Sequence, residues 1–145
     1  MAVEQLRITK IAAADVSPNR RRGGDIRVLL SPKTVGTTSG FMGVLTLAPR
    51  EHVSEHYHPY SEEFLYVVRG RLSMRVETEV VDLEPGDALA VPIGARHRLV
   101  NTGDEEAVAV FHLGPLAPSP ELGHVDTEEP PHAAESTPEV GGGRR

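Results

Sequence analysis

Two histidines one residue apart begin a segment that also carries two glutamates. Residues 55–63 read Glu-His-Tyr-His-Pro-Tyr-Ser-Glu-Glu. Alternate side chains of a strand lie on one face, so His56 and His58 point together at a separation that suits one ion. A turn through residues 59–61 then brings Glu62 or Glu63 close. Two imidazoles and a carboxylate that leave positions open form a typical site for divalent first-row metals.

A second segment offers a third imidazole at the beginning of another predicted strand. Residues 92–101 read Pro-Ile-Gly-Ala-Arg-His-Arg-Leu-Val-Asn, and their Pro and Gly predict a turn that delivers His97. One histidine on a strand is more often a surface or hydrogen-bonded core residue than a ligand, and His-x-His pairs also occur by chance on surface strands. The joint spacing of the two segments is what favours a metal site.

The elements that must position these residues are short strands. Proline and glycine divide the chain into pieces that alternate apolar and polar residues with a period of two, which predicts an all-β sandwich or barrel, with jelly-roll closure as one solution. Arg69-Gly70 and residues 101–104 predict hairpins, and residues 84–87 predict a Pro-initiated turn. The predicted strands are 26–30, 41–48, 53–58, 63–68, 71–77, 80–83, 88–91, 97–101 and 107–113.

Composition excludes several classes of protein. The 145 residues contain no Cys, which excludes disulfide scaffolds, thiolate metal sites and thiol nucleophiles. The net charge is -6, and basic residues are scattered apart from Arg20, Arg21 and Arg22, which argues against nucleic acid as a partner. No apolar stretch approaches the ~18 residues of a membrane span, and the N-terminus lacks a signal-peptide pattern. We therefore expect a cytoplasmic protein without a membrane partner.

The chain divides into three parts. We expect an N-terminal arm or edge strand over residues 1–24, with Leu6, Arg7 and Ile8 as the candidate strand, and a barrel over residues 25–116. Residues 117–145 form a Pro-rich C-terminal extension. Six of the twelve prolines follow Gly114, and regular apolar spacing ends there, so the chain is predicted to be disordered from about residue 125.

The two histidine segments together resemble the motifs of the cupin family. Residues 56–70, HYHPYSEEFLYVVRG, are similar to the first motif, which is His-x-His, four residues, Glu, six residues and Gly. Residues 86–101, GDALAVPIGARHRLVN, match the second motif at every position. Arg50 stands where the first motif usually opens with Gly. The resemblance implies a small conical barrel with a metal inside.

The resemblance also implies which residues hold that metal. By position in the motifs, Glu62 faces the opposite side of its strand. The ligands carried over are His56, His58, Glu63 and His97. The other histidines are expected outside the site: His52 lies too far along its strand, and His124 and His132 are predicted to be solvated in the extension.

A narrower resemblance covers roughly residues 5–127. Residues 20–36, 56–70 and 110–126 together are similar to the single-domain cupin cyclases of bacterial aromatic polyketide pathways, of the resistomycin and tetracenomycin type. Such proteins fold reactive poly-β-ketone chains into fused rings during antibiotic biosynthesis. The resemblance therefore implies a polyketide substrate, either free or bound to a carrier protein.

His112 complicates the predicted ligand set. It ends an apolar strand whose alternation is predicted to place Val108, Val110 and His112 on the interior face. In a cupin this last strand lies beside the one that bears Glu63. His112 can then replace Glu63 as a ligand, orient Glu63 by a hydrogen bond, donate a proton to substrate, or be an unrelated core histidine.

The pocket around the metal is predicted to be apolar, with room for a flat substrate because large aromatic residues are sparse. The inward candidates are Phe41, Gly43, Leu45, Leu65, Val67, Leu72, Met74, Val76, Leu99 and Val110.

Three functions fit these residues. The first is a metal-dependent polyketide cyclase that performs an intramolecular aldol condensation, for which zinc suffices because no redox step occurs. The second is an oxygenase that uses iron(II) in the same ligands, and the third is a non-enzymatic small-molecule-binding cupin. Small β-barrels pair through exposed sheet edges, so we also expect a homodimer.

Overall fold

The computed structural model describes residues 8–138 and 140. The all-β class is confirmed, because every described element longer than four residues is a strand. The helices in this part of the chain all fall short of the length and apolar character that a membrane crossing needs. The strands are β1 (Asp25–Leu30), β2 (Phe41–Leu47), β3 (His52–Tyr57), β4 (Glu62–Arg69), β5 (Leu72–Val76), β6 (Glu79–Leu83), β7 (Ala88–Val91), β8 (His97–Asn101), β9 (Ala107–Gly114) and β10 (Val125–Asp126). Among the described residues, the one α-helix is α1 (Pro32–Val35), and short 3-10 helices cover Ala13–Asp15 and Pro120–Leu122.

The strands form two antiparallel sheets that enclose a common core. The first sheet has the order β1-β2-β9-β4-β7, and the second has the order β10-β3-β8-β5-β6. Sequence neighbours are often in different sheets, so the chain passes back and forth between the two layers as in a jelly roll. Nine strands lie within one residue of their predicted limits, whereas β10 was not predicted.

Two of the predicted hairpins are wrong because the chain changes sheets at those turns. β4 pairs with β7 and β9, while β5 pairs with β6 and β8, so Arg69-Gly70 joins the two sheets. Gly70 has a φ of 81°, and a Cβ there would lie 2.6 Å from the Ala107 Cα. Residues 101–104 likewise connect β8 in one sheet to β9 in the other.

The core shows which face of each strand points inward. On β4 the inward residues are Glu63, Leu65 and Val67, which are all buried. On β9 the buried positions are Ala107, Ala109, Phe111 and Leu113. The prediction that Val108, Val110 and His112 face the interior is therefore wrong, because this strand has the opposite alternation.

The C-terminal extension packs onto the barrel, so the prediction of disorder from about residue 125 is wrong for the described residues. β10 extends the second sheet by pairing with β3, where Asp126 lies opposite His56. The Arg98 Nε donates to Glu128 Oε1 over 2.9 Å, and the Thr127 N–H donates to the Glu55 carbonyl over 3.0 Å. The extension is thus held on the barrel by ion pairs and backbone hydrogen bonds, and it does not need regularly spaced apolar residues.

The N-terminal part lies on the same side as the extension. A short 3-10 turn covers Ala13–Asp15, and Asn19 forms an isolated bridge with Ile26. The Asn19 Nδ2 donates to the Ser136 carbonyl over 2.9 Å. Of the candidate edge strand, Leu6 and Arg7 lie outside the described residues, and Ile8 is exposed and belongs to no strand.

Arg50 adopts the left-handed backbone conformation that explains why this position suits glycine. Its φ is 72° in the turn between β2 and β3. A residue with a side chain pays ~1 kcal/mol for this conformation, and glycine avoids that cost. Only part of the gain remains, because glycine loses more conformational entropy on folding. We expect Arg50→Gly to raise the free energy of unfolding by about 0.5 kcal/mol. Urea denaturation of both proteins measures this change, and a loss of stability would contradict it.

Candidate metal centre

Four buried side chains converge between the two sheets: His56, His58, Glu63 and His97. One possible ligand atom from each lies within 4.8 Å of the others. The neighbouring Glu62 is exposed, as expected from the alternation of β4. The structure therefore brings together the four residues that the cupin motifs single out.

The two sheets supply different parts of this cluster. His56 on β3 lies opposite His97 on β8 in the second sheet, whereas Glu63 comes from β4 in the first. The register between β3 and β8 shifts between Val53 and His56, and both of these residues line the central cavity. A bulge of this kind re-aims side chains, which here brings His56 to the interior.

Backbone carbonyls fix the orientation of all three rings. The Nδ1 atoms of His56, His58 and His97 lie 2.8, 2.9 and 3.0 Å from the carbonyl oxygens of Ser54, Gly123 and Ala95. A carbonyl only accepts, so each Nδ1 carries the proton and donates it. The three Nε2 atoms are then left as acceptors, which is the arrangement that prepares histidines for a metal.

The Nε2 atoms and the Glu63 carboxylate together offer four ligand atoms for a cation. The Oε1 of Glu63 lies 3.2 Å from His58 Nε2 and 3.6 Å from His97 Nε2. The latter distance exceeds a hydrogen bond, and His97 Nε2 is buried with no hydrogen-bond partner among residues 8–138 and 140. A divalent ion bound by these atoms would satisfy His97 and balance the carboxylate charge, so the residues fit a metal.

Burial and mutual charge shift the pKa values of these groups. Burial, followed by the charge of His97, holds the pKa of His56 well below its usual value. Burial alone would raise the pKa of Glu63, but His97 and His58 outweigh it, so the pKa lies well below the usual range. Burial is the largest single effect on His97 and lowers its pKa, but the charge and hydrogen bonding of Glu63, together with the Ala95 carbonyl, outweigh burial, so the pKa of His97 is raised. Glu63 is therefore ionised at neutral pH.

A cavity of about 100 Å³ lies beside the cluster. Four of the predicted apolar residues line it, namely Phe41, Leu45, Met74 and Leu99. Val110 does not, because it lies on the outer face of the first sheet. The extension also contributes to the wall through Ala117 and Pro120. The extension therefore closes one side of the candidate site.

His112 does not join the cluster, so its predicted role as ligand or catalytic group at this site is wrong. Its side chain is exposed, and its ring centroid lies 5.8 Å from that of Phe64 on the outer face of the first sheet. The physical reason is the alternation of β9, which directs Phe111 and Leu113 inward and His112 outward. Glu63 instead occupies the fourth position.

Sequence reasoning missed two titratable residues of the cavity wall, Arg22 and His124. His124 was predicted to be solvated, but it is partly buried in the wall. Burial, followed by the charge of Arg22, lowers the pKa of His124 to about 4. The run Arg20-Arg21-Arg22 followed by two glycines was the feature of the sequence that could have drawn attention to Arg22. Which of the three arginines points inward depends on how the extension folds against them, and the sequence does not reveal this.

His124 is expected to make stability depend on pH. In chelator-treated protein, acidification from about pH 7 to about pH 5 should destabilise wild type more than His124→Gln. The folded imidazole has a pKa of about 4, while the unfolded one protonates near ~6.5. Between these values the unfolded chain binds more protons, so the free energy of unfolding falls as pH falls.

His124 is only partly buried, so solvent screens its charge. We therefore expect His124 to lower the free energy of unfolding by about 1 kcal/mol at about pH 5. Urea denaturation at both pH values measures it. His132→Gln, at an exposed position of the same extension, is the matched control. Equal pH slopes for wild type and His124→Gln would contradict the assignment.

The double-sheet jelly roll with three histidines and a glutamate between its layers defines a class of barrel protein. The family model of the cupin domain matches residues 43–113, which contain all four cluster residues. Polyketide synthase CurC of Streptomyces cyaneus is 56% identical over 128 residues, covering 88% of this chain and 83% of that protein. The chain therefore belongs to the cupin family.

Two relatives that are more than 50% identical to this chain are named as polyketide synthase proteins. Besides CurC, the tetracenomycin polyketide synthase protein TcmJ of Streptomyces glaucescens is 53% identical over 133 residues, covering 92% of this chain and 89% of that protein. Among solved structures, an oxalate decarboxylase of Bacillus subtilis, described by its Mn(II) centres, superposes with a TM-score of 0.69 at 20% identity, covering 79% of this chain and 31% of that one. This last likeness concerns the fold alone.

Proposed function

We propose that this protein is a metal-dependent polyketide cyclase that performs an intramolecular aldol condensation and aromatisation of a poly-β-ketone. The observation that carries the proposal is the buried group of three Nε2 atoms and one carboxylate beside an apolar cavity. The high identity to CurC and TcmJ, both named as polyketide synthase proteins, supports the substrate class.

The proposed reaction is redox-neutral. A methylene between two carbonyls loses a proton, and its carbon bonds to a distant ketone carbon to give an alkoxide, which takes up a proton and becomes a hydroxyl group. The former methylene carbon then loses its second proton, a C=C bond forms, and the hydroxyl group takes up a proton and leaves as water. A divalent ion, for which we expect zinc, supplies Lewis acidity toward a ketone oxygen. The apolar walls exclude water and strengthen electrostatic interactions inside.

The chain's own residues have distinct tasks in this proposal. His56, His58, His97 and Glu63 hold the ion. The neutral imidazole of His124 lines the same cavity and can accept the methylene proton. The cavity of about 100 Å³ is smaller than the ~300 Å³ of a small ligand pocket, and we propose that the extension, which forms part of its wall, shifts when a polyketide binds.

The test is cyclisation of a poly-β-ketone released by a minimal polyketide synthase, either free or on its carrier protein. Zinc-loaded protein should yield the same amount of dehydrated, cyclised product with and without dioxygen, as measured by mass spectrometry. Failure to form product without dioxygen would overturn the cyclase proposal.

A second candidate is an iron(II) oxygenase that acts on an aromatic polyketide intermediate. One observation favours it: Glu63 rather than His112 completes the cluster. A carboxylate ligand reduces the charge of the site, which favours higher oxidation states of iron. Stoichiometric dioxygen uptake by iron-loaded protein, with no turnover in the zinc form, would establish this candidate.

We also propose a homodimer. The outer face of β4 leaves Phe64 and Tyr66 44% and 49% exposed, and a second copy of the same face would cover them. Light scattering should give about twice the 15.7 kDa chain mass. Phe64→Arg should favour the monomer, whereas Val80→Arg on the edge strand β6 should not. A monomeric wild type would contradict the proposal.

A further inference from the structure

Arg22 places a buried cation at the wall of the central cavity. Its residue surface is 6% exposed, and it lines the same cavity as the four cluster residues. Its Nε donates to Asp126 Oδ1 over 3.0 Å. Its Nη2 is also buried but donates to no acceptor in the described part of the chain. The guanidinium therefore has its Nε paired with Asp126, while its Nη2 has no acceptor among the described residues.

The backbone around Arg22 is built to hold it there. The Ser54 N–H on β3 donates to the Arg22 carbonyl over 2.8 Å. Gly23 follows with a φ of 104°, and a Cβ at Gly23 would lie 2.0 Å from the His52 carbonyl oxygen. Only glycine allows this close approach to β3. The chain thus lies directly against the strand that carries His56.

The charge of Arg22 is not fully balanced by its neighbours. Asp126 is shared, because Oδ2 also accepts from Arg21 Nη2 over 3.2 Å. Within the cavity, the Glu63 carboxylate lies 3.2 Å from His58 Nε2 and 3.6 Å from His97 Nε2, as part of the four-residue cluster. Burial lowers the pKa of Arg22, but Asp126 opposes that shift, and a guanidinium stays charged in proteins.

A buried charged donor without a partner costs free energy, so its presence in a cavity points to an acceptor on the ligand. We propose that Arg22 binds an anionic oxygen of the substrate by donating its free Nη2 hydrogen bond to a β-dicarbonyl group in the enolate form. This rests on the proposed function for the substrate class. A fixed, charged donor in an apolar cavity stabilises such an oxygen better than water does.

The probe is dimedone, a cyclic β-diketone that is largely an enolate anion at neutral pH. Its analogue doubly methylated at the carbon between the carbonyls cannot ionise and is the neutral comparator. Calorimetry with zinc-loaded full-length protein should show at least ~10-fold tighter binding of the anion. A preference should persist after chelation of the metal. Equal affinities, or no preference after chelation, would overturn the proposal, and this comparison requires no variant to fold.

Arg22→Met should remove the preference for the anion, and Arg22→Lys should keep part of it. Arg21→Met is the matched control, because Arg21 contacts the same Asp126 and donates to the Ala133 carbonyl but does not line the cavity. We expect Arg21→Met to bind dimedone within ~2-fold of wild type. Unchanged binding in Arg22→Met, or equal losses in both variants, would overturn the anion-binding role.

This experiment separates the inference from the proposed function. If dimedone binding depends on Arg22 while no polyketide is cyclised, anion binding stands and the cyclase proposal fails. If polyketide is cyclised while dimedone binding does not depend on Arg22, the cyclase proposal stands and the proposal that Arg22 binds the anion fails.

Discussion

Replacing His56, His58 or His97 singly with alanine is expected to release the metal and abolish cyclisation. Each ring already has Nδ1 engaged by a backbone carbonyl, so each contributes one oriented Nε2 atom that no neighbour can replace. Loss of groups that merely orient a ligand lowers metal affinity ~10–100-fold, and loss of the ligand itself should exceed that. Metal analysis after dialysis measures the change.

A thermal shift gives a second readout that does not depend on turnover. Bound metal stabilises the folded chain by about 4 kcal/mol when the free ion exceeds its dissociation constant ~1,000-fold. Zinc should therefore raise the melting temperature of wild type but not of the three variants. His52→Ala is the matched control, because His52 lies on the same strand but outside the cluster. Full metal occupancy in all three variants would refute the ligand set.

The sequence predicts this cluster well because its residues are fixed by spacing within strands. His56 and His58 share a face, and Glu63 and His97 stand at the beginning of their strands. Strand limits were also predictable, since Gly and Pro mark the turns. The bulge that brings both Val53 and His56 inward was not predictable, because a register shift depends on the partner strand β8.

The sequence is ambiguous where both faces of a strand are apolar. β9 alternates Ala, Ala, Phe and Leu on one face with Val, Val and His on the other, and a period of two cannot distinguish core from surface in such a strand. The observed alternation of β9 differs from the predicted one by one residue, so His112 lies on the outer face and not in the interior. The first cupin motif fixed the phase of β4, but no motif residue lies on β9.

Long-range charge pairs explain why the extension was predicted incorrectly. Its composition resembles that of disordered segments, but Asp126 meets Arg21 and Arg22, and Glu128 meets Arg98. These partners are distant in sequence, so composition alone cannot reveal them.

The turns at Gly70 and Gly103 illustrate the same limit, because local residues specify a turn but not the sheet that the chain enters next.

Glu63→Gln is expected to weaken metal binding at least ~10-fold, whereas His112→Ala should leave both metal content and anaerobic cyclisation unchanged. Gln keeps the size of the side chain but removes the negative charge that faces His58 and His97. His112 is on the outer face beside Phe64 and has no route to the ion. Competition with a chromophoric chelator measures affinity, with the exposed Glu62→Gln on the same strand as control.

The electrostatic coupling of Glu63 to His97 provides an independent test of that assignment. The Glu63 charge raises the pKa of His97 against the opposing effect of burial. In chelator-treated protein, Glu63→Gln should therefore lower the pKa of His97, because the Ala95 carbonyl is then the main group that still opposes the effect of burial. Nitrogen NMR of the imidazoles measures the shift, and Glu62→Gln and His112→Ala should leave it unchanged. An unchanged His97 titration in Glu63→Gln, or metal loss in His112→Ala, would mean that the fourth ligand is not the carboxylate on β4.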